Sequence, residues 1–497
     1  MTDSFINLLC CPLCEGKLER FHTTKEDGDK IEWGTIICID CNNKFPVAFG
    51  IPIMMPPYTR VDVNRSFHSN TNELGPIVSD LTRQIGLGEI EKVQKELLIF
   101  RRSRTSIKGF FKEKKSLKLE NKLTRLLPNP LVKLIGKRTV YFMYYLLTKL
   151  TFQDARMRKK EDQTFEKLLT ASSSMEFIDL YFGQMLQNNV YGEYYKYRFG
   201  QPRHLAALSL LTNIPEDANP VLDIACGIGH FMHYFTNRSK QQPVIGMDKN
   251  FGQLYLAKKF VSPEGNYFCA DAGQPLPFKT NSFSGVFCSD AFMFFPYRQL
   301  SVREMKRLLN PNGVAVINRI YSYPIEGYED HAITSAKKLK SYFSDIPNVV
   351  LSQNYLLDCY IQKEGPDLSV ELELEELNKI NWISIIASRQ KNIFRNYGTF
   401  KEWPHEKGYL QLNPHYHEKG KDDSGNLILK FEFPSSWYEF ENQSWMKYAP
   451  ETVLLSPDTL NAISNSIKTP EVNELISKLV VIGMPELYQL NSKSAHN

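Results

Sequence analysis

The chain has 497 residues, with 60 Lys and Arg against 55 Asp and Glu for a formal net charge of +5, and it is 42% hydrophobic and 12% aromatic. This composition excludes disordered and fibrous classes, and the length predicts several domains rather than one core. The charge is uneven: residues 101–138 hold thirteen basic residues and two acidic ones, Glu113 and Glu120, so this stretch carries +11 and the remainder sums to −6.

Residues 1–56 are set apart by cysteine. The opening MTDSFINLLCCPLCEG lacks the basic region, long apolar core and small-residue cleavage site of a secretory signal. Five of the nine cysteines fall in the first 41 residues, and four form the pairs Cys11-x-x-Cys14 and Cys38-x-x-Cys41. Each pair can wrap one ion, and four thiolates complete a closed tetrahedral site, so the spacing predicts structural zinc. A disulfide pair or unrelated buried thiols are the alternatives. The charged tip at 26–30 between the pairs predicts a hairpin, hence a zinc ribbon. The remaining cysteines stand singly in apolar surroundings, which predicts a reducing, cytoplasmic location. The strings CPLCEGKLE and IICIDCNNKFPVAFGIPIMMP resemble the small zinc-ribbon activators that partner tRNA, rRNA and release-factor methyltransferases. The resemblance implies a docking module, fused here in cis, whose apolar tail at 45–55 packs on another domain.

Residues 57–199 read as a basic, mainly helical connecting region. Within 101–138, Ile107, Phe110, Phe111, Leu117, Leu119 and Leu123 recur at helical intervals among the Lys and Arg. Three readings fit: a solvated face covering the core, a surface attracting RNA or an acidic partner, or a peripheral membrane helix. The most apolar run, 139–148, is too short to span a bilayer and is bracketed by Arg138 and Lys149, so no transmembrane segment is expected. The aromatic run 191–199 suits either a lid over a site or a packing seam.

Residues 200–390 alternate strand and helix patterns. A strand at 221–225 runs into Cys226-Gly227-Ile228-Gly229-His230, a glycine turn that lets backbone approach a ligand at the carboxyl edge of a parallel sheet. The next strand ends in Asp248, 19 residues beyond Gly229, where an acidic side chain can accept both ribose hydroxyls of a nucleoside. Further strands end at Asp271 and Ser289, and a fifth begins at Val314. The expected fold is α/β, a doubly wound, mostly parallel seven-stranded Rossmann-like sheet, with the N-terminal ribbon, the helical region and a C-terminal α+β module added. A nicotinamide fingerprint would need a third glycine soon after Gly229, and none occurs until Gly246.

The strings VLDIACGIGHF, GMDKN, CADAGQPLPFKTNSFSGVFCSDAFMFF and EMKRLLNPNGVAVI resemble, in order, the motifs of class I S-adenosylmethionine methyltransferases of the ubiquinone-biosynthesis type. The resemblance implies that Asp223 and Gly227 lie near the methionine moiety, Gly229 under the nucleoside, Asp248 on the ribose, and Asp271 with Ala272 beside the adenine. Ala225 lines the same pocket but departs from the family, which has its first glycine there. Ser289 completes the cofactor set. Methyl transfer is an in-line displacement, so alignment and exclusion of water suffice and no triad is present. An acceptor needing a general base finds candidates in Asp290 and His331, the latter alternatively a solvated helix-start residue.

The core is expected to end with a helix at 334–344, a strand near 348–362, an acidic helical insertion at 368–375 and a last strand at 382–388. Residues 391–497 read as an appended module. The expected function is methylation of a small-molecule or natural-product acceptor. An RNA or protein methyltransferase, or a non-catalytic binding protein on the same fold, are the alternatives.

Overall fold

The computed structural model describes residues 1–63, 75–99, 153–184, 190–239, 241–322, 333–399, 402–443 and 448–489. The basic segment 101–138 and His331 lie outside them. Among the described residues, no helix is long and apolar enough to cross a membrane.

The N-terminal unit is a four-stranded antiparallel sheet of β1 (Leu18–Asp27), β2 (Lys30–Cys38), β3 (Lys44–Ala48) and β4 (Ile51–Pro52). Asp27 pairs with Lys30 across a two-residue turn, in which Gly28 supplies the left-handed conformation such turns favour.

The central sheet contains β5 (Val221–Ile224), β6 (Val244–Asp248), β7 (Asn266–Cys269), β8 (Phe283–Ser289), β9 (Leu309–Tyr321), β10 (Asn348–Ser352) and β11 (Trp382–Ser388), in the order β10-β11-β9-β8-β5-β6-β7. β5 pairs in parallel with both β6 and β8, and only β11 runs antiparallel to its neighbours β9 and β10. β5 is buried along its whole length, as strands covered on both faces must be. Because the strand order reverses between β5, which connects to β6 on one side, and β8, which connects to β9 on the other, a crevice opens beyond the carboxyl end of β5.

The sheet would end at β7, but residues from the N-terminal unit continue it. Ile53 forms a parallel bridge with Cys269, and Met54 N donates to Cys269 O at 2.8 Å. Cys10 N donates to Pro277 O at 2.8 Å. Phe5, Leu9, Phe45 and Met54 share one hydrophobic cluster with Leu222, Phe268 and Phe278. The expected docking surface at 45–55 is therefore engaged within the same chain, and it covers an edge that would otherwise expose unpaired backbone.

Two small sheets form the C-terminal region: β12 (Tyr409–Leu412) with β16 (Val481–Met484), and β13 (Tyr416–Lys421) with β14 (Leu427–Phe431) and β15 (Thr452–Leu455). Its helices Pro457–Ser464 and Pro470–Ser477 start as the Ser-Pro and Thr-Pro signals predict, with Ser456 and Thr469 side chains accepting from the first turn. In this region Leu410, Ile482 and Tyr488 join Phe199, Phe231 and Phe235 in one core.

Two element assignments need correcting. The segment 348–362 is a strand only to Ser352. The Ser352 hydroxyl then accepts from Tyr355 N and starts the helix Gln353–Ile361, whose Leu356, Leu357 and Tyr360 face inward. The acidic insertion is helical only over Leu374–Leu377, because Val370, Leu372 and Leu374 have no face to bury and remain exposed.

Candidate functional site

Sulfur ligands converge in the N-terminal unit. The Sγ atoms of Cys11, Cys14, Cys38 and Cys41 all lie within 4.8 Å of one another, with Cys11–Cys41 at 3.6 Å and Cys14–Cys38 at 3.5 Å. Tetrahedral zinc–thiolate bonds of about 2.3 Å place sulfurs about 3.8 Å apart, so the donor set fits zinc and is too open for disulfides. Asn43 Nδ2 donates to Cys41 Sγ at 3.1 Å, the outer-sphere support that such ligands use. Cys10 is buried beside the cluster but contributes no ligand.

At the carboxyl end of β5 the backbone turns through three left-handed residues, Ala225 (φ 57°), Gly227 (φ 57°) and Gly229 (φ 85°), into the helix His230–Arg238. Asp248, at the end of β6, accepts from Gly227 N at 3.0 Å and from Asn250 N at 2.9 Å, which pins the turn. Asp223 is buried, and its Oδ2 has no hydrogen-bond partner. Burial and then the charge of Asp248 raise its pKa well above the carboxylate range. An orphaned carboxyl oxygen above a backbone cradle is what the amino group of a nucleoside amino acid would satisfy, so these residues fit the cofactor expected from the motifs.

Asp223, Ala225, Gly227 and Ser289 line one cavity together with Tyr194, Tyr195, Arg198, His230 and Asp290. Asn318 Nδ2 donates to Ser289 Oγ at 2.9 Å. Asp271 and Ala272 are not part of this lining. Asp271 Oδ1 accepts from Gly273 N at 2.8 Å, closing its own turn, and Ala272 O accepts from Ser301.

The aromatic segment before the core lies over the turn. The Tyr195 ring lies where a Cβ at position 227 would touch it, its hydroxyl donates to Gln253 Oε1 at 3.0 Å, and it stacks on Phe182. The cavity beneath is about 40 Å³, against the roughly 300–1,000 Å³ of small-molecule sites. His230 Nε2 is 3.0 Å from the Tyr488 hydroxyl, which itself donates to Tyr195 O. Burial pushes the His230 pKa well below its ordinary value, so the ring is neutral and forms a wall.

Asp290 departs from the role expected of it. Its Oδ1 receives Arg319 Nε at 3.0 Å, and its Oδ2 receives Tyr194 Oη at 2.9 Å and Arg198 Nη1 at 3.2 Å. Burial alone would raise its pKa, but Arg319, Arg198 and Arg203 hold it well below the usual carboxylate range. A carboxylate so saturated is a poor proton acceptor. Sequence reading included Arg198 only in the aromatic run 191–199 and gave no role to Arg203, Arg319 or Glu441. Buried polar residues on separate segments leave no spacing signal. His415 is buried against Phe431 and held by Asn413.

The sheet order, the glycine turn at the crevice and Asp248 at the next strand end define the class I S-adenosylmethionine-dependent methyltransferase fold. Residues 222–317 match the methyltransferase domain family, and the chain carries a domain of that class. Methyltransferase GfsG of Streptomyces halstedii is 28% identical over 164 residues, covering 32% of this chain and 55% of that protein. Demethylmenaquinone methyltransferase of Thermotoga maritima is 30% identical over 103 residues, covering 20% of this chain and 44% of its own length. The chain thus spans about half the length of the relatives it matches. Among solved structures, phosphoethanolamine N-methyltransferase 2 of Haemonchus contortus aligns with 16% identity and a TM-score of 0.31, over 45% of this chain and 61% of that one.

Proposed function

We propose that the protein transfers a methyl group from S-adenosylmethionine to a small-molecule acceptor. The observation that carries this reading is the orphaned Asp223 carboxyl beside the left-handed turn at Ala225, Gly227 and Gly229, in the crevice beyond β5. S-adenosylmethionine supplies an electrophilic methyl group when bound. The chain's part is to hold the amino-acid end with Asp223, to meet the nucleoside with Gly229 and Asp248, and to exclude water with the Tyr194–Tyr195 roof. Asp271 and Ala272 would face the adenine from the turn that the Gly273 N to Asp271 Oδ1 hydrogen bond closes. Tyr195 must swing off Gly227 for the cofactor to enter, since about 40 Å³ admits little more than water.

A small acceptor is favoured because the cavity beneath Tyr194 and Tyr195 is small, and relatives are named for demethylmenaquinone and trans-aconitate. The +11 segment 101–138, on which an RNA or membrane role would rest, lies outside the described residues. Zinc at the four cysteines serves structure, and the five other cysteines, which stand singly as thiols, support a reducing, cytoplasmic setting.

Calorimetric titration of the full-length, zinc-loaded protein with S-adenosylhomocysteine tests the reading. Saturable binding is expected, weakened about tenfold or more in Asp223→Ala, which loses a charge-assisted hydrogen bond. No binding by the folded protein would overturn the enzyme reading and leave a non-catalytic role for the fold.

A further inference from the structure

Behind the cavity lies a buried cluster of five charged side chains, each at most 8% exposed: Arg198, Arg203, Arg319, Asp290 and Glu441. Arg203 lies 3.8 Å from Asp290 and 3.3 Å from Glu441. Arg319 reaches Asp290 at 3.0 Å, Glu441 at 3.2 Å and Gln353 at 3.0 Å. Within the cluster, guanidinium groups outnumber carboxylates by one. Arg203 also keeps a buried Nε with no acceptor. A buried arginine that is incompletely compensated points to an anion.

The chemistry of that anion follows from what is already seated. Glu441 presents a side-chain carboxylate to two guanidinium forks, an arrangement that planar carboxylates match. Glu441 is also the one member that does not come from the core or its approach segment. It projects from the helix Ser436–Asn442, which touches the approach through Ser435 Oγ donating to Glu193 at 2.7 Å and Tyr438 against Tyr197. The cluster adjoins the cavity through Arg198, Asp290 and Tyr194.

Resting on the methyltransferase reading, we propose that Arg203 and Arg319 anchor a carboxylate of the methyl acceptor, and that Glu441 holds this place while the site is closed. The acceptor class is therefore a carboxylic acid, oriented by its anionic end toward the cofactor crevice. Acceptor binding exchanges one carboxylate for another, so the buried arginines are never left bare.

The probe is propionate, the equivalent of the glutamate side-chain end, with propionamide as the neutral control at constant ionic strength. In full-length Glu441→Ala, propionate is expected to raise the melting temperature saturably, with affinity about tenfold or more above wild type, and propionamide is expected to do nothing. Glu441→Ala/Arg203→Met is expected to lose the response. Glu441→Gln and Arg203→Lys repeat the comparison should the first pair fold poorly. Folded variants that ignore propionate overturn the proposal. So does an Arg203→Met protein that loses S-adenosylhomocysteine but keeps 5′-methylthioadenosine, since the arginines would then hold the cofactor's carboxylate. S-adenosylhomocysteine binding without a propionate response sinks the anchor alone. A propionate response without S-adenosylhomocysteine binding leaves a carboxylate site but removes the acceptor role.

Discussion

At the scale of single residues, Ala225 carries the clearest local conflict. Its Cβ sits in the left-handed region, which costs a non-glycine residue about 1–3 kcal/mol where the surroundings enforce it. Ala225→Gly is expected to raise unfolding free energy by about 1 kcal/mol, the relief being partly offset by the greater chain entropy of glycine, and urea denaturation checks it. The cofactor residues were readable because strand, turn and helix follow one another: Asp223, Gly227, Gly229 and Asp248 lie within 26 consecutive positions. The charge cluster was not. Arg198, Asp290, Arg319 and Glu441 are drawn from four distant segments, and each alone looks like an ordinary surface charge. Asp290 was found for its position at a strand end, yet its three arginine neighbours, invisible in sequence, reverse the chemistry expected of it.

Among elements, the N-terminal sheet and β7 depend on each other. Metal removal or Cys38→Ser frees β2 from β3, and with it the Ile53–Met54 run that borders Cys269. Each large apolar side chain returned to water forfeits about 1.5–3 kcal/mol. Losing Ile53 and Met54 should lower stability by about 3 kcal/mol or more, and size-exclusion chromatography should show association through the bared β7 edge. An unchanged elution profile and melting curve after chelation would contradict this dependence. Paired C-x-x-C spacing made the sheet legible, but the segment 348–362 was misjudged. Its apolar β-branched start dominates the pattern, and the helix that follows is announced only by Ser352.

For the whole molecule, histidines hold the C-terminal region to the core. His233 Nε2 donates to Lys407 O at 3.0 Å, and His405 lies 2.7 Å from the Tyr360 hydroxyl. Burial lowers both pKa values to about 4 from 6.5. Below pH 6.5 the unfolded chain takes up protons that the folded one refuses, so stability falls as pH drops from there toward 4 and is level above. At pH 5 each histidine should subtract about 2 kcal/mol, and His405→Gln should flatten the decline by that amount in urea midpoints measured at pH 7 and pH 5. The doubly wound sheet was legible from alternating strand and helix patterns. That 391–497 backs the site through Tyr488 and Glu441 was not, because nothing in an aromatic tail names the surface it meets.

The hydrogen bond between Tyr488 and His230 joins positions 258 residues apart. Contacts of such separation form slowly, since the intervening chain must order before the loop closes. The crevice beyond β5 therefore has an order of construction: its floor can fold from neighbouring segments, while its wall arrives only with the distal chain. During synthesis the glycine turn exists before the Tyr488 side of its surroundings does.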